Sequence, residues 1–172
     1  MKKQPTTSQS GALARFFKAT ISAGLLAAFI LLLNGHSSQA GSATWRLNPV
    51  SGDWNTAANW TAGGPPNGAT DTATFQSSNV TDVLLSTDTE VDGIVFGAGA
   101  SAFTITATPT TAVFNLLIGG AGITNNSGIT QNFVAANSGD SGSHGRIVFD
   151  NSATAGTLTV FTNEGGTADS HY

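Results

Sequence analysis

Through most of its length the chain sets Val, Ile, Leu and Phe against Thr, Ser, Asn and Gly in steps of two. Successive side chains of an extended strand point to opposite faces, so this period predicts half-buried strands. In Ala102-Phe103-Thr104-Ile105-Thr106-Ala107 the apolar groups fall on one face and the threonines on the other. The same reading holds for Ile94 and Phe96, for Phe114, Leu116 and Ile118, and for Ile147 and Phe149. Turns are expected between these runs at Gly97-Ala98-Gly99, Gly119-Gly120-Ala121-Gly122, Asn125-Asn126-Ser127-Gly128, Asn137-Ser138-Gly139-Asp140 and Gly165-Gly166. Helix is disfavoured, because Gly, Thr, Asn and Ser are poor helix formers and no long apolar stripe of period 3.6 is present.

Short strands at such spacing fit a β-sandwich, a barrel or a parallel β-solenoid. Two features favour the solenoid. The strands lack the two-residue Asn-Gly or Asp-Gly turns that join antiparallel neighbours; the one Asn-Gly pair, Asn67-Gly68, sits in a Pro-rich loop. Gly93-Ile94-Val95-Phe96 also returns as Arg146-Ile147-Val148-Phe149, and Asn125-Asn126-Ser127 returns as Asp150-Asn151-Ser152. Degenerate repeats of this kind suit stacked coils with small and polar residues at the corners. Coils of about 20–25 residues are expected from general repeat lengths, roughly four in all.

The first forty residues read differently. Lys2, Lys3, Arg15 and Lys18 make a positive leader, followed by an apolar run from Ala19 to Leu33, a break at Asn34-Gly35 and the small-residue site Ser38-Gln39-Ala40. This is the pattern of a helical signal peptide, residues 1–40, cut before Gly41. The run is short of the roughly 20 apolar residues that span a bilayer, so no membrane span is expected after cleavage. Residues 41–78 read as an N-terminal cap segment and 79–172 as solenoid coils.

Removing the leader changes the charge. The precursor carries a formal −4, but four of its six basic residues lie in the leader, leaving Arg46 and Arg146 against ten carboxylates. A chain this acidic repels phosphate backbones, which excludes nucleic-acid binding as a function class. With no cysteine there is neither a disulfide framework nor thiol chemistry. Stability has to come from a packed core.

Three groups of residues invite a chemical reading. Trp45, Trp54 and Trp60, with Phe75, are large enough to cover the end of a solenoid interior, each removing on the order of 150–250 Å² from water. The tryptophans are also candidates for glycan contact, since indole faces stack on sugars. Asp82, Asp88, Glu90 and Asp92, with Asp140 and Asp150, are candidate oxygen ligands for calcium, although none has EF-hand spacing; the bland reading is a solvated acidic loop. His144 and His171 have no neighbouring Asp, Glu or Cys at a spacing that suggests a metal site or a triad, so neither a metal centre nor a catalytic triad is expected. A polysaccharide lyase would want a Lys or Arg base, and the region after the leader has only two arginines. No enzymatic activity and no cofactor are expected. Acceptor triplets for N-glycosylation at Asn59, Asn79 and Asn125 are what Asn-rich turns produce by composition.

The segment from Trp45 to Phe75, with Gly52-Asp53-Trp54-Asn55, Ala58-Asn59-Trp60, Pro66-Asn67-Gly68 and Asp71-Thr72-Ala73-Thr74-Phe75, resembles the start of the mature region of bacterial autotransporter-associated β-strand repeat proteins. Asn151-Ser152-Ala153-Thr154-Ala155-Gly156, followed by Phe161-Thr162-Asn163-Glu164-Gly165-Gly166, is similar to that family's repeated coil. The resemblance implies a right-handed parallel β-helix passenger that is exported and exposed at the cell surface. Family members run to many coils and often end in a membrane barrel or sorting tail, whereas this sequence stops at Ser170-His171-Tyr172. A C-terminal continuation of the same solenoid is therefore expected to be missing. The function expected is a structural or adhesive surface protein whose partners are glycans or cell-surface components. The alternative is a secreted carbohydrate-binding module built as a β-sandwich.

Overall fold

The computed structural model describes residues 41–109, 113–139 and 143–165. The expected signal peptide, residues 1–40, and the candidate residues Asp140 and His171 lie outside the described residues. Among the described residues nine strands are arranged in two sheets. The first runs β1 (Ala43–Thr44), β2 (Gly68–Phe75), β4 (Thr89–Phe96), β6 (Phe114–Asn125) and β8 (Gly145–Phe149); the second runs β3 (Asp82–Leu85), β5 (Thr104–Ala107), β7 (Gln131–Ala135) and β9 (Thr159–Asn163). Every ladder between these strands is parallel, and the chain alternates between the sheets as it advances. The fold is an all-β solenoid of four main coils, β2–β3, β4–β5, β6–β7 and β8–β9. The sandwich alternative is excluded, because its neighbouring strands would run in opposite directions.

Alternation drives this winding. Phe103, Ile105 and Ala107 are buried while Thr104 and Thr106 stay partly exposed. Val83 and Leu85 do the same in β3, as do Leu116 and Ile118 in β6. Ring packing joins the coils along the interior. Phe75 stacks on Phe96 at 5.3 Å, Phe96 meets Phe133 at 6.1 Å, and Phe133 stacks on Phe161 at 5.1 Å. Phe103 sits against both Phe75 and Phe96. Aromatic pairs of this kind add about 0.5–1.5 kcal/mol each beyond the area they bury.

Two expectations need correction. Gly119-Gly120-Ala121-Gly122 is not a turn between strands but a bulge inside β6. Val91 pairs with Ile118 and Gly93 with Gly122, so the residues between accumulate opposite Asp92, whose Oδ1 accepts the Ala121 N–H at 3.3 Å. The two extra residues leave β6 in phase with β4: Val91 and Ile94, which pair with Ile118 and Ile123, are likewise buried an odd number of places apart, so both strands break their alternation at the same point. Likewise the acidic patch is not one loop: Asp82 lies in β3, Glu90 and Asp92 lie in β4, and only Asp88 occupies the connection.

Gly122 is required at this bulge. Its φ is +76°, and an added Cβ would lie 2.4 Å from the nitrogen and 2.5 Å from the oxygen of Thr154. That oxygen accepts the Ile123 N–H at 2.8 Å, locking the fourth coil to the third. Gly122→Ala is expected to cost about 2–3 kcal/mol, combining left-handed strain with overpacking against backbone. Urea unfolding at equilibrium checks it.

The coils are also less uniform than repeat lengths suggest. Ala73 pairs with Ile94, a step of 21 residues, but Ile105 pairs with Phe133, a step of 28, and Leu116 with Ile147, a step of 31. The later coils exceed the expected 20–25 because they carry the bulge and longer connections: β3 ends at Leu85 and β4 begins at Thr89, whereas β5 ends at Ala107 and β6 begins at Phe114.

Candidate functional site

The three tryptophans are placed by a partial coil ahead of β2 and β3. β1 extends the first sheet, with Ala43 beside Ala73. Asp53 bridges in parallel to Leu84, and the Leu84 N–H donates to the Gly52 carbonyl while Trp54 N–H donates to Leu84, both at 2.8 Å, so residues 52–54 extend the second sheet. Trp45 and Trp60 pair across an antiparallel bridge. A single 3₁₀ turn, Ala57–Asn59, delivers Trp60 to that position.

Trp45, Trp54 and Trp60 are 1%, 0% and 0% exposed. Their rings meet edge to face at 5.0–5.1 Å, and all three contact Phe75. Each indole N–H donates to a main-chain carbonyl: Trp45 to Val80 at 3.0 Å, Trp54 to Pro66 at 3.0 Å and Trp60 to Trp54 at 2.6 Å. Segment 41–78 thus shares both a sheet and the interior with the coils that follow it.

Two buried amides were not legible as such in the sequence. Asn59, fully buried, accepts the N–H groups of Val50 and Ser51 on Oδ1 and donates from Nδ2 to Ser51 Oγ and the Asp53 carbonyl. It ties the loop before Trp54 to the turn before Trp60, which leaves the acceptor Asn59 of its glycosylation triplet inside the fold. Gln131 accepts the Phe103 N–H at 2.8 Å and donates to the Ser101 carbonyl and Ser127 Oγ. Both amides follow the rule that buried polar groups are satisfied. The signal available in sequence was only an amide at a position where the period calls for an apolar residue.

The outer face of the first sheet carries the groups able to meet a ligand. Asp88, Glu90, Asn115, Leu117, Arg146 and Val148 line an open depression of about 440 Å³. Register explains it. Glu90 pairs with Leu117 and Leu117 with Val148, while Asn115 pairs with Arg146, so three coils contribute adjacent rows. Asp88 Oδ1 accepts from the Asn115 backbone and side chain at 2.8 and 3.1 Å, and Asn67 Oδ1 accepts the Glu90 N–H at 2.9 Å. The arrangement offers carboxylates, amides and a guanidinium around two aliphatic side chains. Hydrogen-bonding groups beside a small apolar floor suit a polyhydroxylated solute.

The candidate calcium ligands do not converge. Among the described residues no three His, Cys, Asp or Glu side chains are grouped closely enough to hold a metal ion. Asp92 is engaged at the bulge, and Asp150 Oδ1 accepts the Asn151 N–H at 2.7 Å. His144 forms an antiparallel bridge with Asn137, and Arg46 donates from Nε to the Trp60 carbonyl at 2.9 Å, far along the stack from Arg146. Among the described residues no helix is long and apolar enough to cross a membrane.

No protein-family model matches the chain, and no curated protein or solved structure matches it.

Proposed function

We propose that this chain is an exported structural or adhesive surface protein of the autotransporter-passenger type, which displays the outer faces of a β-solenoid to glycans or cells and performs no catalysis. One observation carries the reading. The interior is consumed by packing, including all three tryptophans, while the groups able to bond a partner lie in rows on the outside. The leader sequence supports export, and the resemblance of Trp45–Phe75 to autotransporter-associated repeats supports the class. The tryptophans act as a cap over the first coil, and the depression at Asp88, Glu90 and Asn115 is the glycan-contacting surface.

Contacts of this kind are weak singly and gain strength by multiplicity, so the probe must be multivalent. The protein coupled to fluorescent beads is expected to be retained on a glycan array and on cells. Glu90→Ala should reduce that retention roughly tenfold, about 1.4 kcal/mol, with the far-UV spectrum unchanged. Absence of retention on any glycan and on any cell surface would sink the proposal. N-terminal sequencing of the secreted form is expected to begin at Gly41.

A further inference from the structure

Arg46 and Arg146 are the two basic residues that follow the leader, and the second of them lines the depression at Asp88 and Glu90. Arg46 lines another. Trp45 faces the interior, so the side chain one place on faces outward, as does that of Gln76 on the next coil. With Leu47, Asn48, Thr61, Gln76 and Ser77, Arg46 borders an open depression of about 460 Å³.

Main-chain bonds hold both walls. Arg46 N–H donates to the Asn59 carbonyl at 2.9 Å and Thr61 N–H to the Thr44 carbonyl at 3.0 Å, while Trp45 N–H donates to the Thr74 carbonyl at 2.8 Å. Residues 59–61 therefore flank Arg46 on one side and residues 74–77 on the other, whatever precedes Gly41 or follows Gly165. Gly97 keeps the floor open. It lies beside Gln76 on the side away from Arg46, and the Gln76 amide occupies the place that a Cβ at Gly97 would take, so this side chain leans out of the depression.

The guanidinium is oriented but not consumed. Its Nε–H donates to the Trp60 carbonyl at 2.9 Å, and its two terminal nitrogens have no partner among the described residues. A guanidinium fixed in this way presents a two-pronged donor that matches the two oxygens of a carboxylate.

We infer that this depression binds an acidic sugar, a uronic acid residue of a glycan, with its carboxylate on Arg46 and its ring hydroxyls on Thr61 and Ser77. Leu47, 54% exposed, offers the apolar surface for the C–H face of the ring. The inference goes beyond the surface-display reading, which places glycan contact at Asp88, Glu90 and Asn115, and stands without it. Two observations select this class of ligand. Hydroxyls and an amide beside one aliphatic side chain suit a polyhydroxylated solute better than a bare ion. The chain after the leader also sets ten carboxylates against two arginines, so it repels polysulfates and polyphosphates, whereas a single carboxylate needs only one fork.

Nuclear magnetic resonance titration of the isotopically labelled secreted protein tests the idea, with the Arg46 Nε–H as reporter. Methyl β-D-glucuronide is expected to shift that signal and the Thr61 and Ser77 amides saturably in the millimolar range. Methyl β-D-glucoside, which differs only in lacking the carboxylate, should bind roughly tenfold or more weakly, and so should acetate and inorganic sulfate. R46Q should weaken glucuronide binding by roughly the same factor, read on the Thr61 and Ser77 amides. R46K, which keeps the charge without the fork, should recover only part of it. No saturable shift with the glucuronide overturns the inference, as does a glucuronide affinity indifferent to R46Q. Equal affinity for the glucoside would mean that the carboxylate is not read, and equal affinity for acetate or sulfate that the sugar is not; either result overturns it. The ligands are compared on the parent protein, so that comparison decides the matter even if R46Q alters stability.

Discussion

Phe75→Ala is expected to destabilise the protein by about 3–5 kcal/mol, the range for truncating a buried aromatic side chain. Phe75 is fully buried and touches five other rings: Trp45, Trp54, Trp60, Phe96 and Phe103. It is the side chain through which the partial coil of tryptophans meets the regular coils. Its loss leaves a cavity on both sides, and a β-strand backbone pinned by β1 and β4 cannot collapse to fill it. Phe161→Ala provides the comparison. That ring stacks on Phe133 but is 40% exposed, so its truncation should cost less than half as much. Equilibrium urea denaturation followed by tryptophan fluorescence reads both, since the reporters lie against Phe75. Equal costs for the two variants would contradict the account of where the core is closed.

How much of this was legible in sequence depended on whether a residue's fate was decided by its own strand or by another coil. Phe103, Ile105 and Ala107 were readable because alternation alone fixes their face. The run Gly119 to Gly122 is ambiguous in sequence, because a glycine-rich run looks the same whether it ends a strand or bulges within one. The outcome was set by Asp92 on the neighbouring strand and by Thr154 a coil later. The charge of Asp82, Glu90 and Asp92 suggests a loop, although Val83, Leu85 and Val91 alternate with them in strands. Carboxylates at outward positions remain solvated, so they do not oppose strand formation there.

The outer depression was harder still. Its rows begin at Asp88, Asn115 and Arg146, and bringing them side by side requires coil steps of 27 and then 31 residues. A uniform repeat of 20–25 would have placed them on different faces. Sequence alone therefore shows Arg146 as an isolated base and Asp88 as one carboxylate among several, with nothing to join them at one depression.

Trp60→Ala separates the two roles that aromatic residues at this end can have. The indole lies between Trp45, Trp54 and Phe75 and donates to the Trp54 carbonyl, so its removal empties a buried site and leaves that carbonyl without its donor. The expected cost is again about 3–5 kcal/mol. If the tryptophans close the interior, the unfolding midpoint falls steeply, while bead retention on glycans, measured well below that midpoint, stays at the parent level. Trp60→Phe should recover part of the stability by refilling the site, though without the N–H. The opposite pattern, an unchanged midpoint with retention lost, would mean that the rings meet sugar in solution and that the first coil is closed by something else. The burial of all three indoles favours the first outcome, because stacking on a sugar needs a face that water can already reach.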